Sequence, residues 1–159
     1  MDCHSATQNG NRRYQSGDRD SVISLWDDVF PDSTGHNDPA ESIDRKCKEG
    51  DGLFFVAEQD GTVVGMVMAG YDGHRGWIYS LAVAPTQQRR GIGSMLVRHV
   101  ERMLGELGCP KVNLQVRTRN SSVVAFYHSM GFDCEDRISM GKLLSRSGDD
   151  ALESPSDTH

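Results

Sequence analysis

Glycines and arginines with the spacing of an anion-binding helix start lie near the middle of the chain. In residues 87–104, QQRRGIGSMLVRHVERML, two arginines precede two glycines and an apolar periodic pattern follows at once. A glycine in a helix costs about 1 kcal/mol relative to alanine, so Gly91 and Gly93 need a reason. The first N–H groups of a helix lack intrahelical partners, carry partial positive charge and bind anions. With Arg89 and Arg90 beside them, the pattern predicts a cradle for a phosphate or pyrophosphate.

Two common phosphate-binding motifs are absent from this stretch. The chain has no Gly-x-x-x-x-Gly-Lys followed by Ser or Thr, which excludes a P-loop. Because Leu96 takes the place of the third glycine, the Gly-x-Gly-x-x-Gly of dinucleotide-binding folds is incomplete. The glycines also fit a tight turn packed under a sheet with no ligand, and the residues alone leave that alternative open.

The elements that must position this stretch begin with one strand and two helices. Residues 12–15 are predicted to form a short first strand. Apolar residues recur with helical spacing between Asp18 and Phe30, which predicts the first helix. Pro39 suits the first turn of a second helix, which we expect to end near Glu49.

A meander of three strands follows the two helices. Residues 53–58 and 62–71 are rich in β-forming residues, and Asp60-Gly61 between them is a strong hairpin signal. A second turn, GYDGHRG, leads to a strand predicted over residues 77–83. Three strands joined by short turns predict an antiparallel sheet.

The glycine stretch opens a third helix, whose apolar residues at 92, 96, 100, 103 and 107 share one face. We expect a strand over 111–116, a helix over 120–130 and a last strand over 131–140. The crossover between the strands at 77–83 and 111–116 predicts that these two run parallel. The fold class is therefore α/β (α+β), with a mixed, mostly antiparallel central sheet flanked by helices.

Composition indicates one soluble, cytoplasmic domain. A net charge of −6 argues against broad binding to nucleic acid. No apolar run approaches the roughly 20 residues that cross a bilayer, and the first ten residues lack the apolar core of a secretory signal. We therefore expect no membrane association, a globular domain over residues 11–143, a flexible segment at 1–10 and a disordered tail at 144–159.

The cysteines favour free thiols over a metal site. Four cysteines are scattered along the chain, at positions 3, 47, 109 and 134. They form neither a Cys-x-x-Cys motif nor a Cys/His pattern with ligand spacing. The sequence therefore predicts no bound metal.

Together these residues resemble the GNAT N-acetyltransferases. Residues 88–93, QRRGIG, are similar to the family's acetyl-CoA signature, Gln/Arg-x-x-Gly-x-Gly/Ala. Asn120, Tyr127 and the Gly-Phe pair at 131–132 are similar to the family's downstream block. The stretches NDP, VVGMVMAGYDGHRG and GCPKVNLQV look most like small bacterial YpeA-type acetyltransferases. The resemblance covers roughly residues 11–143.

The resemblance implies an acetyl-CoA site between two splayed, parallel strands. The backbone of Leu81, Ala82 and Val83 would pair with the pantetheine arm like an extra strand. Asn120 would hydrogen-bond the arm, and Tyr127 would point at the thioester sulfur. The pyrophosphate would lie on the glycine stretch, which consists of Gln88, Arg89, Arg90, Gly91, Ile92, Gly93 and Ser94.

Direct acetyl transfer needs a deprotonated amine, a polarised thioester carbonyl and a proton for the departing thiolate. In this arrangement the N–H of Val83 would polarise the carbonyl. Tyr127 would supply the proton, because a phenol with a pKa near 10 is close to an alkyl thiol. The alternative for Tyr127 is an aromatic core residue beside Phe126 and Phe132.

The general base is open at this stage. Many GNAT enzymes carry a glutamate on the strand before Leu81, where this chain has Tyr79 and Ser80. Ordered water would serve, as would Asp72 or His74, and the amine would otherwise arrive neutral. The alternative for Asp72 and His74 is an exposed turn with local hydrogen bonds.

The expected acceptor is a primary amine on a small molecule or on a protein. Acidic residues 27–41 would attract a cationic amine, or they form a solvated loop. Two copies would pair through the C-terminal strand if the protein is a homodimer.

Two other functions also fit the sequence. A CoA-binding regulatory module without turnover is one, because the strand carboxylate is missing. An RNA-associated protein is the other, unless the arginines that it would use form a solvated helix face: Arg89, Arg90, Arg98, Arg102 and Arg117.

Overall fold

A computed structural model of the protein describes residues 10–145, so nearly all of the tails predicted at 1–10 and 144–159 lies outside the described residues. Five strands and four α-helices alternate in the order βααβββαβα. The elements are β1 (Gly10–Arg13), α1 (Arg19–Val29), α2 (Pro39–Glu49), β2 (Phe54–Gln59), β3 (Thr62–Tyr71), β4 (Gly76–Val83), α3 (Ile92–Glu106), β5 (Val112–Leu114) and α4 (Ser121–Ser129).

The sheet has the strand order β1-β2-β3-β4-β5. The first four strands are antiparallel, whereas β4 and β5 run parallel. Asp60 and Gly61 both have positive φ angles, of 50° and 78°, as the tight two-residue hairpin between β2 and β3 requires. The predicted mixed, mostly antiparallel sheet flanked by helices is confirmed.

β4 separates from β5 halfway along its length. The two strands pair only from Gly76↔Val112 to Ile78↔Leu114, although β4 continues to Val83. The register of β4 with β3 shifts at the same point, which leaves Tyr79 as an extra residue in β4. Such a bulge bends and twists a strand, and here the two parallel strands splay apart beyond it.

Two apolar clusters cover the opposite faces of the sheet. One lies under α1 and α2 and includes Val22, Trp26 and Ile43. The other lies under α3 and α4 and contains the predicted apolar face of α3 except Leu107, which follows the helix and is exposed. Its fully buried helical residues are Leu96, Val97, Val100 and Leu104.

Two glycines of the sheet let α3 approach it closely. A Cβ on Gly65 would lie 3.0 Å from Leu96 and 3.1 Å from Ile92, at the start of the helix. A Cβ on Gly76 would lie 2.8 Å from Leu104, near its end. The contact at Gly76 is closer than real Cβ atoms approach and those at Gly65 are tighter than most, so these glycines favour the close packing of α3 on β3 and β4.

Two strands differ in their bounds from the sequence predictions, and one predicted strand is absent from the described residues. The first strand lies at Gly10–Arg13 instead of 12–15, and β5 spans only Val112–Leu114 of the predicted 111–116. The strand predicted over 131–140 is wrong, because residues 131–145 contain no strand. A strand needs a paired neighbour, and this segment has none within the described chain.

An ion-pair network joins β1, β2 and the residue before α1. Arg12 donates to both oxygens of Asp18, at 2.7 and 2.8 Å, and to Glu58 at 2.9 Å. The Asp18 side chain is only 10% exposed and also accepts the N–H of Gln15. The hydrogen bonds from Arg12, the largest effect, and from Gln15 hold the pKa of Asp18 below its ordinary value.

We expect Asp18→Asn to lower the free energy of unfolding by about 2 kcal/mol at pH 7, because it removes a charge-assisted hydrogen-bond network. A carboxyl whose folded pKa is lowered stabilises the fold above its unfolded pKa and loses that contribution as pH falls through the folded value. The difference in the free energy of unfolding between wild type and Asp18→Asn should therefore be smaller at pH 3 than at pH 7. Urea unfolding at both pH values measures it.

Asp44→Asn is the matched control, because Asp44 pairs with Arg19 on the surface and is 57% exposed. Exposed pairs contribute little, so this variant should unfold like wild type. A difference for Asp18→Asn that stays constant down to pH 3 would contradict the ion-pair explanation.

Candidate functional site

The start of α3 follows the C-terminal end of β4 across a short loop with unusual backbone geometry. Gly91 is the N-cap of α3 with φ = 80°, and Arg89 also has a positive φ, of 66°. A positive φ is strained for a residue with a side chain, and such strain concentrates at functional sites. The loop therefore turns the unpaired N–H groups of the first helical turn toward solvent beside two arginines.

The two glycines of the loop have different structural reasons. Gly91 needs its left-handed backbone, although a Cβ there would meet nothing within 4 Å. Gly93 has no positive φ, and its Cβ would lie in ordinary contact, 3.4 Å from Phe126 and 3.7 Å from Val83. A tight structural turn therefore accounts for Gly91 but not for Gly93, whose missing side chain leaves the helix start open.

The charged and amide side chains of the loop face solvent. Arg89 and Arg90 are exposed, and neither forms an ion pair with a carboxylate of residues 10–145. Gln87 accepts a hydrogen bond from Arg90 at 3.4 Å, and Gln88 donates to the carbonyl of Val83 at 3.3 Å. The loop is thus tied to the end of β4 while both guanidinium groups keep their charge available for an anion.

The gap between β4 and β5 is bordered by backbone and by the start of α4. Beyond Ile78, the β5-facing edge of β4 has no strand partner within the described sheet, and this edge contains Leu81, Ala82 and Val83. Asn120 is the N-cap of α4, yet its side chain makes no capping hydrogen bond. Asparagine at this position usually caps its own helix, so the amide of Asn120 remains free to bind something else.

Tyr127 packs into the core between α4 and the sheet. It is only 8% exposed, and its ring lies edge-to-face with Phe126 and Phe132 at centroid distances of 5.0 and 5.5 Å. Burial raises the pKa of Tyr127 to about 12, so the hydroxyl stays protonated at neutral pH. Tyr127 therefore packs as the aromatic core residue that the sequence offered as an alternative. Its neighbour Phe126 faces Gly93 at the start of α3.

The turn before β4 uses its aspartate locally. One carboxylate oxygen of Asp72 accepts the N–H groups of His74 and Arg75, at 2.8 and 2.7 Å. The hydrogen bonds from Arg75, the larger effect, and from His74 lower the pKa of Asp72. Asp72 is therefore a poor proton acceptor, while His74 is exposed at the tip of the turn.

The exposure of Tyr79 was not predicted from the sequence. Its side chain is 60% exposed and lies over Gly70, whose Cβ would come within 2.9 Å of the ring. Partial burial, the largest effect, and the nearby carboxylates of Asp72, Asp51 and Glu49 raise the pKa of Tyr79. The bulge that splays β4 thus also presents a phenol among acidic groups, and the glycine on the neighbouring strand was its one signal in the sequence.

The described residues contain no cluster of metal-ligating side chains. Within residues 10–145, no group of three or more His, Cys, Asp or Glu side chains is arranged to hold a metal ion. Cys47, Cys109 and Cys134 are free thiols, and Cys3 lies outside the described residues. None of the described helices is both long enough and apolar enough to cross a membrane.

Basic side chains further along α3 form a second group. Arg98, His99 and Arg102 line a cavity of about 260 Å³ with Asn11 and Met95. Arg102 contacts Nδ1 of His99 at 2.8 Å, and burial, the largest effect, together with Arg102 lowers the pKa of this histidine. These arginines therefore belong to a different part of the helix from the loop arginines.

Known proteins share both sequence and fold with this chain. The model of the family described as "Acetyltransferase (GNAT) family" matches residues 19–132. An acetyltransferase from Yersinia pestis (strain Pestoides F) is 42% identical over 135 residues, which cover 84% of this chain and 94% of that protein.

Solved structures have the same architecture at low sequence identity. The aminoglycoside N-acetyltransferase AAC(6')-Iy in complex with CoA has a TM-score of 0.70 at 18% identity, covering 84% of this chain and 93% of its own. The ribosomal-protein-S18-alanine N-acetyltransferase from Escherichia coli has a TM-score of 0.68 at 21% identity, covering 77% of this chain and 76% of its own. At these identities the likeness establishes the fold.

The two loop glycines should respond differently to alanine. Gly91→Ala should lower the free energy of unfolding by about 1 kcal/mol, because an L side chain is strained at positive φ. Gly93→Ala should leave it unchanged or raise it by up to about 0.5 kcal/mol, because alanine is the better helix former. Urea unfolding measures both, and equal destabilisation would contradict the assignment of separate roles.

Proposed function

The chain belongs to the GNAT family of acetyltransferases, and we propose that it moves an acetyl group from acetyl-CoA directly to a primary amine in a ternary complex. The observation that carries this proposal is the helix start at Gly91 and Gly93, beside two exposed arginines and the splayed end of β4. Such a helix start binds phosphate groups through its N–H groups and partial positive charge.

The residues of the loop and the gap fit acetyl-CoA. We assign the pyrophosphate to the N–H groups from Gly91 to Ser94 and to the two loop arginines. The free edge of β4 at 81–83 would take the pantetheine arm as an added strand, and Asn120 would hydrogen-bond it. The co-substrate would supply the activated thioester, and the chain's own groups would orient it.

Tyr127 is our candidate for the group that donates to the departing sulfur. Its raised pKa, about 12, supports a hydroxyl that is protonated throughout the working range. The same shift makes it a weaker acid than an ordinary phenol, so hydrogen bonding to the developing thiolate is the larger part of its role. The N–H of Val83 is our candidate for polarising the thioester carbonyl.

We assign the loss of the amine proton to solvent. The carboxylate of Asp72 is committed to the turn, and Tyr79 occupies the strand position where many relatives in the family carry a glutamate. Asp51 pairs with Lys46 at 2.7 Å, so Asp72 and Glu49 are the carboxylates near Tyr79 that would favour a cationic amine, which would deprotonate in water as it binds.

The acceptor class follows from that surface. One solved neighbour is named for aminoglycosides and another for a protein alanine, which are both amines. We propose an amine of one of these two kinds for this chain, a small molecule or a protein. A CoA-binding module without turnover is the competing proposal, favoured by the core packing of Tyr127 and the missing strand carboxylate.

Charge reversal tests the cradle. Arg89→Glu with Arg90→Glu should weaken acetyl-CoA binding by about 30-fold or more, because charge-assisted hydrogen bonds to phosphate would become repulsion. Isothermal titration calorimetry measures the affinity. Arg98→Glu with Arg102→Glu is the matched control, since it makes the same charge change elsewhere on α3, and it should alter affinity by less than about threefold.

Wild-type protein that is folded but does not bind acetyl-CoA would overturn the proposed function. If both double variants lost the same affinity for acetyl-CoA, the proposed location of the cradle would be wrong, although wild type would still bind acetyl-CoA. Binding without acetyl transfer to any member of a primary-amine panel would favour the non-catalytic module.

Tyr127→Phe tests the donor role. The variant should lose about 100-fold or more in kcat, the range of general acid catalysis, with an unchanged KM for acetyl-CoA. A core role alone predicts wild-type kcat instead, because phenylalanine fills the same space.

The pH profile gives a second reading of Tyr127. The protonated phenol is the active form and persists below its pKa, which burial raises to about 12. The kcat of wild type should therefore rise as the acceptor amine deprotonates and show no alkaline fall below about pH 11. A fall near pH 10 would contradict the buried donor.

A further inference from the structure

A small cavity lies between the middle of α3 and the edge strand β1, and it is here called the α3–β1 cavity. Its volume is about 260 Å³, and the residues that line it are Asn11 from β1 and Met95, Arg98, His99 and Arg102 from α3. Pockets that hold drug-sized ligands have volumes of about 300–1,000 Å³. The α3–β1 cavity is therefore suited to a smaller ligand.

Contacts to two strands fix the walls of the α3–β1 cavity. Nδ2 of Asn11 donates to the carbonyl of Met95 at 3.1 Å and so ties β1 to α3. The ring of His99 lies edge-to-face on Phe55 of β2, with ring centroids 4.4 Å apart. Phe55 is fully buried in the core, so the histidine rests on a rigid base. The cavity is therefore a packed feature of the fold.

Two arginines one helical turn apart give the α3–β1 cavity its charge. Arg98 and Arg102 are exposed, and residues four apart on a helix lie on the same side with Cβ atoms about 5–6 Å apart. Glu101 and Glu106 are on the same helix. Nevertheless, no carboxylate of residues 10–145 lies within ion-pair distance of either guanidinium. Both positive charges are therefore available to an anion.

His99 orients one of these two guanidinium groups. Arg102 donates to Nδ1 of His99 at 2.8 Å. Burial, the largest effect, and the charge of Arg102 lower the pKa of His99, so its ring is neutral at pH 7. Because Nδ1 accepts a hydrogen bond, the proton of the neutral ring is on Nε2. Arg102 is therefore held at the cavity while its other N–H groups can still donate.

We propose that the α3–β1 cavity binds one phosphate group between the guanidinium groups of Arg98 and Arg102, from free inorganic phosphate or from a small phosphate monoester. A guanidinium presents a planar fork of N–H donors that matches the oxygens of phosphate. Two positive charges attract a phosphate dianion more strongly than the single charge of a carboxylate. The net charge of −6 disfavours a long polyanion such as nucleic acid.

Nuclear magnetic resonance titration of the full chain with inorganic phosphate tests the proposal. The signals of Arg98 and Arg102 should shift with a dissociation constant of about 1 mM or tighter. Ionic strength is held constant, so that screening alone shifts nothing. Arg98→Lys with Arg102→Lys keeps both charges but removes both forks, and it should weaken phosphate binding at the cavity by about fivefold or more.

Arg117→Lys with Arg119→Lys is the matched control. It makes the same replacement at two exposed arginines in the loop before α4, and it should change the affinity of the cavity for phosphate by less than about twofold. No shift of Arg98 and Arg102 at about 20 mM phosphate would overturn the proposal. Unchanged affinity in Arg98→Lys with Arg102→Lys would show that charge alone attracts phosphate, which would also overturn it.

Two further ligands distinguish the source of the phosphate group. Ribose 5-phosphate represents small monoesters, and the tighter binder of this compound and inorganic phosphate identifies the source. Either result supports the cavity as a site for one phosphate group. A short single-stranded RNA that shifts Arg98 and Arg102 at lower concentration than both would overturn the assignment to a small ligand.

Titration of the chain saturated with acetyl-CoA separates this inference from the proposed function. The co-substrate would then occupy residues 88–94, and phosphate should still shift the signals of Arg98 and Arg102. Loss of these shifts would assign the phosphate to the loop and overturn the cavity as a separate site. A chain that does not bind acetyl-CoA but keeps these shifts would contradict the proposed function alone.

Discussion

The site depends on the point at which β4 stops pairing with β5. Parallel pairing lasts only from Gly76 to Ile78, and the extra residue at Tyr79 bends β4 away from its neighbour. A regular ladder over the full length of β4 would satisfy the edge that includes Val83 and would close the gap. One inserted residue therefore opens the sheet at the place where we propose that the acetyl donor binds, and it leaves Tyr79 exposed beside the opening.

Helix α3 places its first turn beside that opening because the sheet fixes the position of the helix. Gly65 and Gly76 let the helix lie close on β3 and β4, so its first turn comes directly after the splayed end of β4. Gly91 then provides a left-handed residue before the helix, and Gly93 leaves the turn uncovered. Packing and backbone conformation thus aim the same N–H groups at the same place.

The two sides of the gap have opposite electrostatic character. Exposed arginines lie at the start of α3, where we propose that a polyanionic co-substrate binds, and carboxylates lie near Tyr79, where we propose that a cationic amine binds. Tyr127 is buried, which keeps its hydroxyl neutral. This separation of charge lets two substrates of opposite sign approach without competing for one surface.

The sequence by itself determined most elements, the hairpin at Asp60-Gly61 and the glycine-containing start of α3, because helix periodicity and turn chemistry are local properties. Only the tertiary structure decided the distinct roles of Gly91 and Gly93, the commitment of Asp72 to its turn and the exposure of Tyr79. The tertiary structure also shows that residues 131–140, predicted as a strand, do not form one. Each of these depends on which atoms lie across from a residue in space, and a strand exists only where a second strand supplies its hydrogen bonds.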